Sequence, residues 1–132
     1  MDVVLVEVKG ADFHLVNSDS YGAFARNVNQ AADQIRGRLG YIYRNLADFR
    51  SDVHRIRAAA EAGKEIHNAF LGPVFRLGVD PNKDINIRTV IIGGRTRDDC
   101  SESAKRQDYE SRFSPPIKIE SWDTLLRKLQ RQ

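Results

Sequence analysis

This 132-residue chain has one cysteine, one tryptophan and four prolines, and each scarcity removes a class of protein. Cys100 alone cannot close an internal disulfide, and no Cys/His cluster has the spacing of a zinc site. No apolar run approaches the roughly 18 to 20 residues that a bilayer crossing needs. The N-terminus lacks the basic, apolar and small-residue segments of a signal peptide. No repeat, low-complexity tract, phosphate loop or dinucleotide fingerprint is present. These absences point to a cytoplasmic protein with no membrane partner.

What is there suits one folded domain over 1–132, with 41% apolar and 30% charged residues. A chain of this size buries a workable core without disulfides. The net charge of +3 is unevenly spread. Residues 1–21 carry four acids and one base, whereas residues 22–60 carry seven arginines against Asp33, Asp48 and Asp52. An arginine-rich helical region beside an acidic strand is what a phosphate-binding metal enzyme needs; a solvated helix face is the plainer reading of the same charges.

Val3 to Lys9 alternates within a β-branched run and reads as a strand. Val3, Leu5, Glu7 and Lys9 share one face; Val4, Val6 and Val8 share the other. Residues 11–17 read as a short strand or an irregular return, and Ser18, Asp19 and Ser20 offer helix caps. From about Gly22 the period becomes helical, with Phe24, Val28, Ala31, Ile35, Leu39, Ile42, Leu46, Phe49, Val53 and Ile56 at three- and four-residue steps. This is one long helix, or two broken near Arg50-Ser51, ended by Gly63-Lys64. Gly72-Pro73 and Asp80-Pro81-Asn82 mark loops. A strand over 87–92 closes on Gly93-Gly94, a helix follows over 99–113, and Pro115-Pro116 introduces a strand at 117–119. Ser121 caps a last helix.

The order β-α(α)-β-α-β-α argues for an α/β fold with a mixed sheet flanked by helices. So apolar a first strand belongs in the middle of a sheet, yet few strands are available to flank it. The expectation is that preceding residues of a longer protein supply one or two more, and that this chain is its C-terminal part.

Glu7 and Lys9, two apart on a strand, leave the same face about 7 Å apart. An ionised Glu is a hard oxygen ligand suited to Mg²⁺ or Mn²⁺, and such an ion lowers the pKa of bound water and offsets phosphate charge. Lys9 beside that water could orient the nucleophile or stabilise developing negative charge. Glu-X-Lys alone is a short pattern, and a solvated strand end beside Gly10 is its structural reading. Its place at the carboxyl end of an apolar strand favours function, because ligand sites gather there in open α/β sheets.

The run Val4-Leu5-Val6-Glu7-Val8-Lys9-Gly10, followed by a helix with Gln30-Ala31-Ala32-Asp33-Gln34-Ile35, resembles the PD-(D/E)XK nuclease superfamily, and in particular the C-terminal domain of the Shedu anti-phage defence proteins. The resemblance extends to Thr89-Val90-Ile91-Ile92-Gly93-Gly94-Arg95 and to Ile117-Lys118-Ile119-Glu120-Ser121-Trp122-Asp123-Thr124-Leu125-Leu126. It implies a restriction-endonuclease-like sheet lacking its N-terminal strands. It also implies Glu7 as a metal ligand helped by the Val8 carbonyl, and Lys9 as the catalytic lysine. Gln34 would support the site, and Arg26, Arg36, Arg38 and Arg95 would meet the nucleic acid.

Two departures stand out. The superfamily carries another metal-binding acid on an upstream strand, and Asp2 is too near Glu7 to be separated from it by a hairpin. Related exonucleases with a Gln-x-x-x-Tyr helix motif have Tyr where Arg38 stands. Gln34 reads equally as an exposed helix amide. Gly93-Gly94-Arg95 could approach a phosphate with backbone N–H groups, or simply end a strand. Trp122 reads as an anchoring aromatic before a base-stacking platform.

The leading expectation is therefore a Mg- or Mn-dependent nuclease acting on DNA in anti-phage defence, with part of its site missing. The alternative is a non-catalytic nucleic-acid-binding or assembly module of the same fold, its long apolar stripe packing against a second copy as a homo-oligomer.

Overall fold

The computed structural model describes residues 1–18, 23–64 and 80–131. Asp19, Ser20, Gly22 and Gly72-Pro73, singled out above, lie outside the described residues. The elements are β1 (Asp2–Val8), α1 (Arg26–Arg44), α2 (Leu46–Glu61), β2 (Asn86–Ile92), α3 (Asp99–Ser111), β3 (Ile117–Glu120) and α4 (Trp122–Gln130). The chain is α/β, as its sequence order predicts.

Among the described residues the sheet has three strands in the order β1-β2-β3, parallel throughout. The expected mixed sheet is not what forms here, because helices rather than hairpins occupy the connections, and a helical crossover returns the chain in the same direction. Among the described residues β1 lies at the edge of this sheet. Its valine face is open, with Val4 51%, Val6 47% and Val8 53% exposed. Only β2 pairs with this apolar run among the described residues.

The residues fall into two compact units, one of Asp2–Leu39 with Asn86–Gln132 and one of Met1 with Gly40–Ile85. In the first, the register Leu5↔Thr89↔Ile117 and Glu7↔Ile91↔Ile119 puts these side chains on one sheet face. Ile87, Thr89, Ile91, Ile117 and Ile119 are buried there, as are Val28, Ala31, Ala32, Ile35 and Leu39 of α1. Their three- and four-residue spacing is the stripe read from the sequence. Thr89 satisfies its hydroxyl on the Pro116 carbonyl at 2.8 Å. Residues 11–17 form an irregular return with single bridges His14↔Arg95 and Val16↔Phe24.

In the second unit α2 is held to the loop before β2. Arg50 pairs with Asp84 at 2.9 Å, and His54 donates from Nε2 to the Lys83 carbonyl at 2.8 Å. Arg57 donates to His54 Nδ1 and bonds Glu61, so both nitrogens of this buried histidine are used structurally. The helical stretch breaks at Asn45, ahead of the expected Arg50-Ser51. The Asn45 side chain donates to the Tyr41 carbonyl at 3.0 Å while its own N–H turns to Ile42. An asparagine that competes with the ladder in this way ends a helix. Beyond the break the apolar stripe is only partly covered: Leu46 and Ile56 are exposed.

Ser18 lies well ahead of α1, which opens at Arg26, and does not cap it, but two other predicted helix ends hold. Ser121 accepts from the Thr124 N–H at 3.2 Å and opens α4, and Gly63, at φ 84°, follows the end of α2. Gly94 has φ 70°, and a Cβ there would meet Leu15 backbone atoms at 3.0 Å. Gly37, inside α1, has open space around it. Gly37→Ala is expected to stabilise the fold by about 0.5–1 kcal/mol, and Gly94→Ala to destabilise it by about 1–3 kcal/mol. Urea unfolding of the two variants beside the parent checks both signs.

Glu120 is buried on the valine face of the sheet. Burial pushes its carboxyl up, but the ammonium groups of Lys128 and Lys118 bonded to it outweigh that and hold it below its usual value. A depressed carboxyl contributes stability above its unfolded pKa and loses it as pH falls through the folded pKa. Glu120→Gln is therefore expected to lower Tm at pH 7, with the deficit shrinking below about pH 4, measured by thermal melts across pH.

Candidate functional site

The parallel register fixes where β1 delivers its charged residues. The Lys9 N–H donates to the Ile92 carbonyl at 2.8 Å, so the Val8 N–H and C=O, one residue back, face the open edge of β1. The Lys9 carbonyl accepts from the Trp122 indole at 2.8 Å. Lys9 is thus held on both sides of its Cα. Gly93 completes the fit: a Cβ there would lie 2.9 Å from Lys9 Cβ, so only glycine lets β2 end so close to the lysine.

On the α1 side of the sheet, Lys9 Nζ donates to Gln34 Oε1 at 3.0 Å and lies 3.6 Å from Glu7 Oε1. Arg38, one turn beyond Gln34, places its guanidinium on Glu7 Oε2. Residues at i and i+4 share a helix face, which is why both reach the same strand end. Glu7, Lys9 and Gln34, picked from sequence as one site, are brought together. Arg38, expected on the nucleic acid, joins them as the partner of Glu7. One carboxylate between two cations leaves the cluster with an excess of positive charge.

The other basic residues are placed elsewhere. Arg26 is exposed in the first turn of α1, about 12 Å along the helix from Gln34. Arg36 bonds Asp33 at 2.6 Å and lies over the Phe113 ring at 4.9 Å, and the Asp33 bond raises its pKa. Arg95 straddles both oxygens of Asp123 at 3.3 Å. Asp123 is held below the usual carboxylate range, first by the Thr96 N–H at 2.7 Å and then by Arg95.

The expectation that Gly93-Gly94-Arg95 could meet a phosphate through backbone N–H groups is overturned. Gly93 N–H is spent on the Glu120 carbonyl, Gly94 on Gly10 and Arg95 on Phe13. Only the Arg95 guanidinium remains to offer.

Among the described residues no three His, Cys, Asp or Glu side chains gather to hold a metal. A full protein cage is therefore not built from them. One carboxylate beside a free-edge carbonyl does fit Mg²⁺ or Mn²⁺, since such ions keep several waters and take further ligands from substrate phosphate. Among the described residues no helix is long and apolar enough to cross a membrane.

Two site features escaped the sequence reading. The Trp122–Lys9 bond joins residues 113 apart, and the Arg38–Glu7 pair joins residues 31 apart; the shared helix face of Gln34 and Arg38 was the only local signal.

A family model described as "Shedu protein SduA, C-terminal" matches residues 1–126. No curated protein and no solved structure matches the chain.

Trp122→Phe keeps an aromatic side chain, though a smaller one, and removes the donor to the Lys9 carbonyl. A loss of about 1–2 kcal/mol is expected, read by chemical denaturation.

Proposed function

The chain belongs to the Shedu SduA C-terminal family, a component of the Shedu anti-phage defence system, and on that premise we propose that it hydrolyses nucleic-acid phosphodiesters with Mg²⁺ or Mn²⁺. DNA in the cytoplasm is the proposed substrate. The observation that carries this reading is the convergence of Glu7, Lys9 and Gln34 from a strand end and a helix. The fold is then a restriction-endonuclease-like core, and a strand against the open edge of β1 would add the remaining acid.

Glu7 and the Val8 carbonyl would hold the ion. When bound, the ion lowers the pKa of a coordinated water and offsets charge on the phosphate. The Lys9 ammonium stabilises the negative charge that develops on the phosphoryl oxygens. Gln34 accepts one Lys9 proton and so fixes the direction of the remaining two. Arg26, Arg36, Arg38 and Arg95 track the backbone, which makes binding weaken with added salt. We propose a homo-oligomer; association would cover apolar side chains such as the outward Leu46 and Ile56.

A second reading, a nucleic-acid-binding module without chemistry, is favoured by one observation: both Glu7 oxygens face cations. Labelled single- and double-stranded DNA incubated with Mn²⁺ separates the two. Glu7→Ala and Lys9→Ala are each expected to cut cleavage by about 100-fold or more with unchanged circular dichroism. Unchanged cleavage in both variants rejects the nuclease assignment; binding without cleavage, indifferent to Glu7→Ala, selects the second reading.

A further inference from the structure

Glu7 has two carboxylate oxygens, and both are occupied. Oε1 faces Lys9 Nζ at 3.6 Å and Oε2 faces the Arg38 guanidinium. A divalent ion approaching Glu7 meets a like charge beside either oxygen, and the two partners are not equally held. Lys9 is tied through Gln34 at its ammonium and through Ile92 and Trp122 at its backbone. Its side chain is 20% exposed. Arg38 is 56% exposed, whereas the Glu7 side chain beneath it is only 13% exposed. The arginine is the partner that can leave, by rotating its own side chain with α1 in place.

The same guanidinium that grips a carboxylate is suited to a phosphate, since both offer paired oxygens to its planar fork. Resting on the metal reading above, we propose that Arg38 and the divalent ion compete for Glu7, and that Arg38 transfers to a backbone phosphate when nucleic acid arrives. Metal and nucleic acid then bind cooperatively: each removes what holds back the other. Linkage requires the effect to be reciprocal. Without nucleic acid, Arg38 keeps Glu7 neutralised and the ion weakly bound.

Mn²⁺ titration followed by the electron paramagnetic resonance of the free ion tests this without reference to cleavage. Arg38→Gln is expected to bind Mn²⁺ about threefold or more tightly than the parent, in line with release of a partly exposed ion pair. Arg44→Gln removes an equal charge from the last turn of the same helix and is expected to match the parent. Glu7→Gln should lose the site. A phosphorothioate-backbone DNA duplex should tighten Mn²⁺ binding in the parent, and that gain should shrink in Arg38→Gln.

Equal affinities in the parent and Arg38→Gln overturn the competition while leaving Glu7 as the ligand. An equal rise in Arg44→Gln and Arg38→Gln also overturns it, because net charge alone then explains the change. Binding that survives Glu7→Gln, or is absent from every variant, removes the metal reading and this proposal with it.

Discussion

The placement of the charged cluster depends on a web of main-chain bonds where the strands end. Lys9, just past β1, gives its N–H to Ile92, Gly93 binds Glu120, Gly94 binds Gly10, and Trp122 binds both the Gly94 and Lys9 carbonyls. Parallel strands emerge at the same end of a sheet, so their exits must be accommodated side by side. Two glycines meet that constraint, one by close approach and one by a positive φ. The charged side chains inherit their positions from this web rather than from contacts among themselves.

Once that end is fixed, electrostatics governs the rest. A glutamate with little exposure is costly unless its charge is answered, and Lys9 and Arg38 answer it from a strand and a helix. Gln34 adds no charge but consumes one Lys9 proton, which favours a single rotamer. The arrangement resembles an ordinary stabilising network in its bonds. It differs in its location, at the carboxyl ends of parallel strands, where ligands approach open sheets.

Much of this was legible in the chain because its causes are local. The two-residue alternation of β1 assigned Glu7 and Lys9 to one face, and Ser121 announced α4 through its cap. The break at Asn45 was hidden because the apolar period continues into Leu46 while a side-chain bond to Tyr41 ends the helix. The order of the strands was not legible, because it is set by non-local pairing and an apolar run looks the same wherever it lies. The spent N–H groups of Gly93, Gly94 and Arg95 were equally invisible, since two of their acceptors, Gly10 and Phe13, come from the distant first segment.

The bare side of β1 has a bearing on colloidal behaviour. Along Val3 to Val8 there is no proline, lysine or bulge of the kind that guards other sheet margins against joining. Mutual repulsion between molecules therefore rests on a net charge of only +3. Raising ionic strength screens that repulsion and leaves the valine margin free to template another strand. High salt would then favour self-association of this chain.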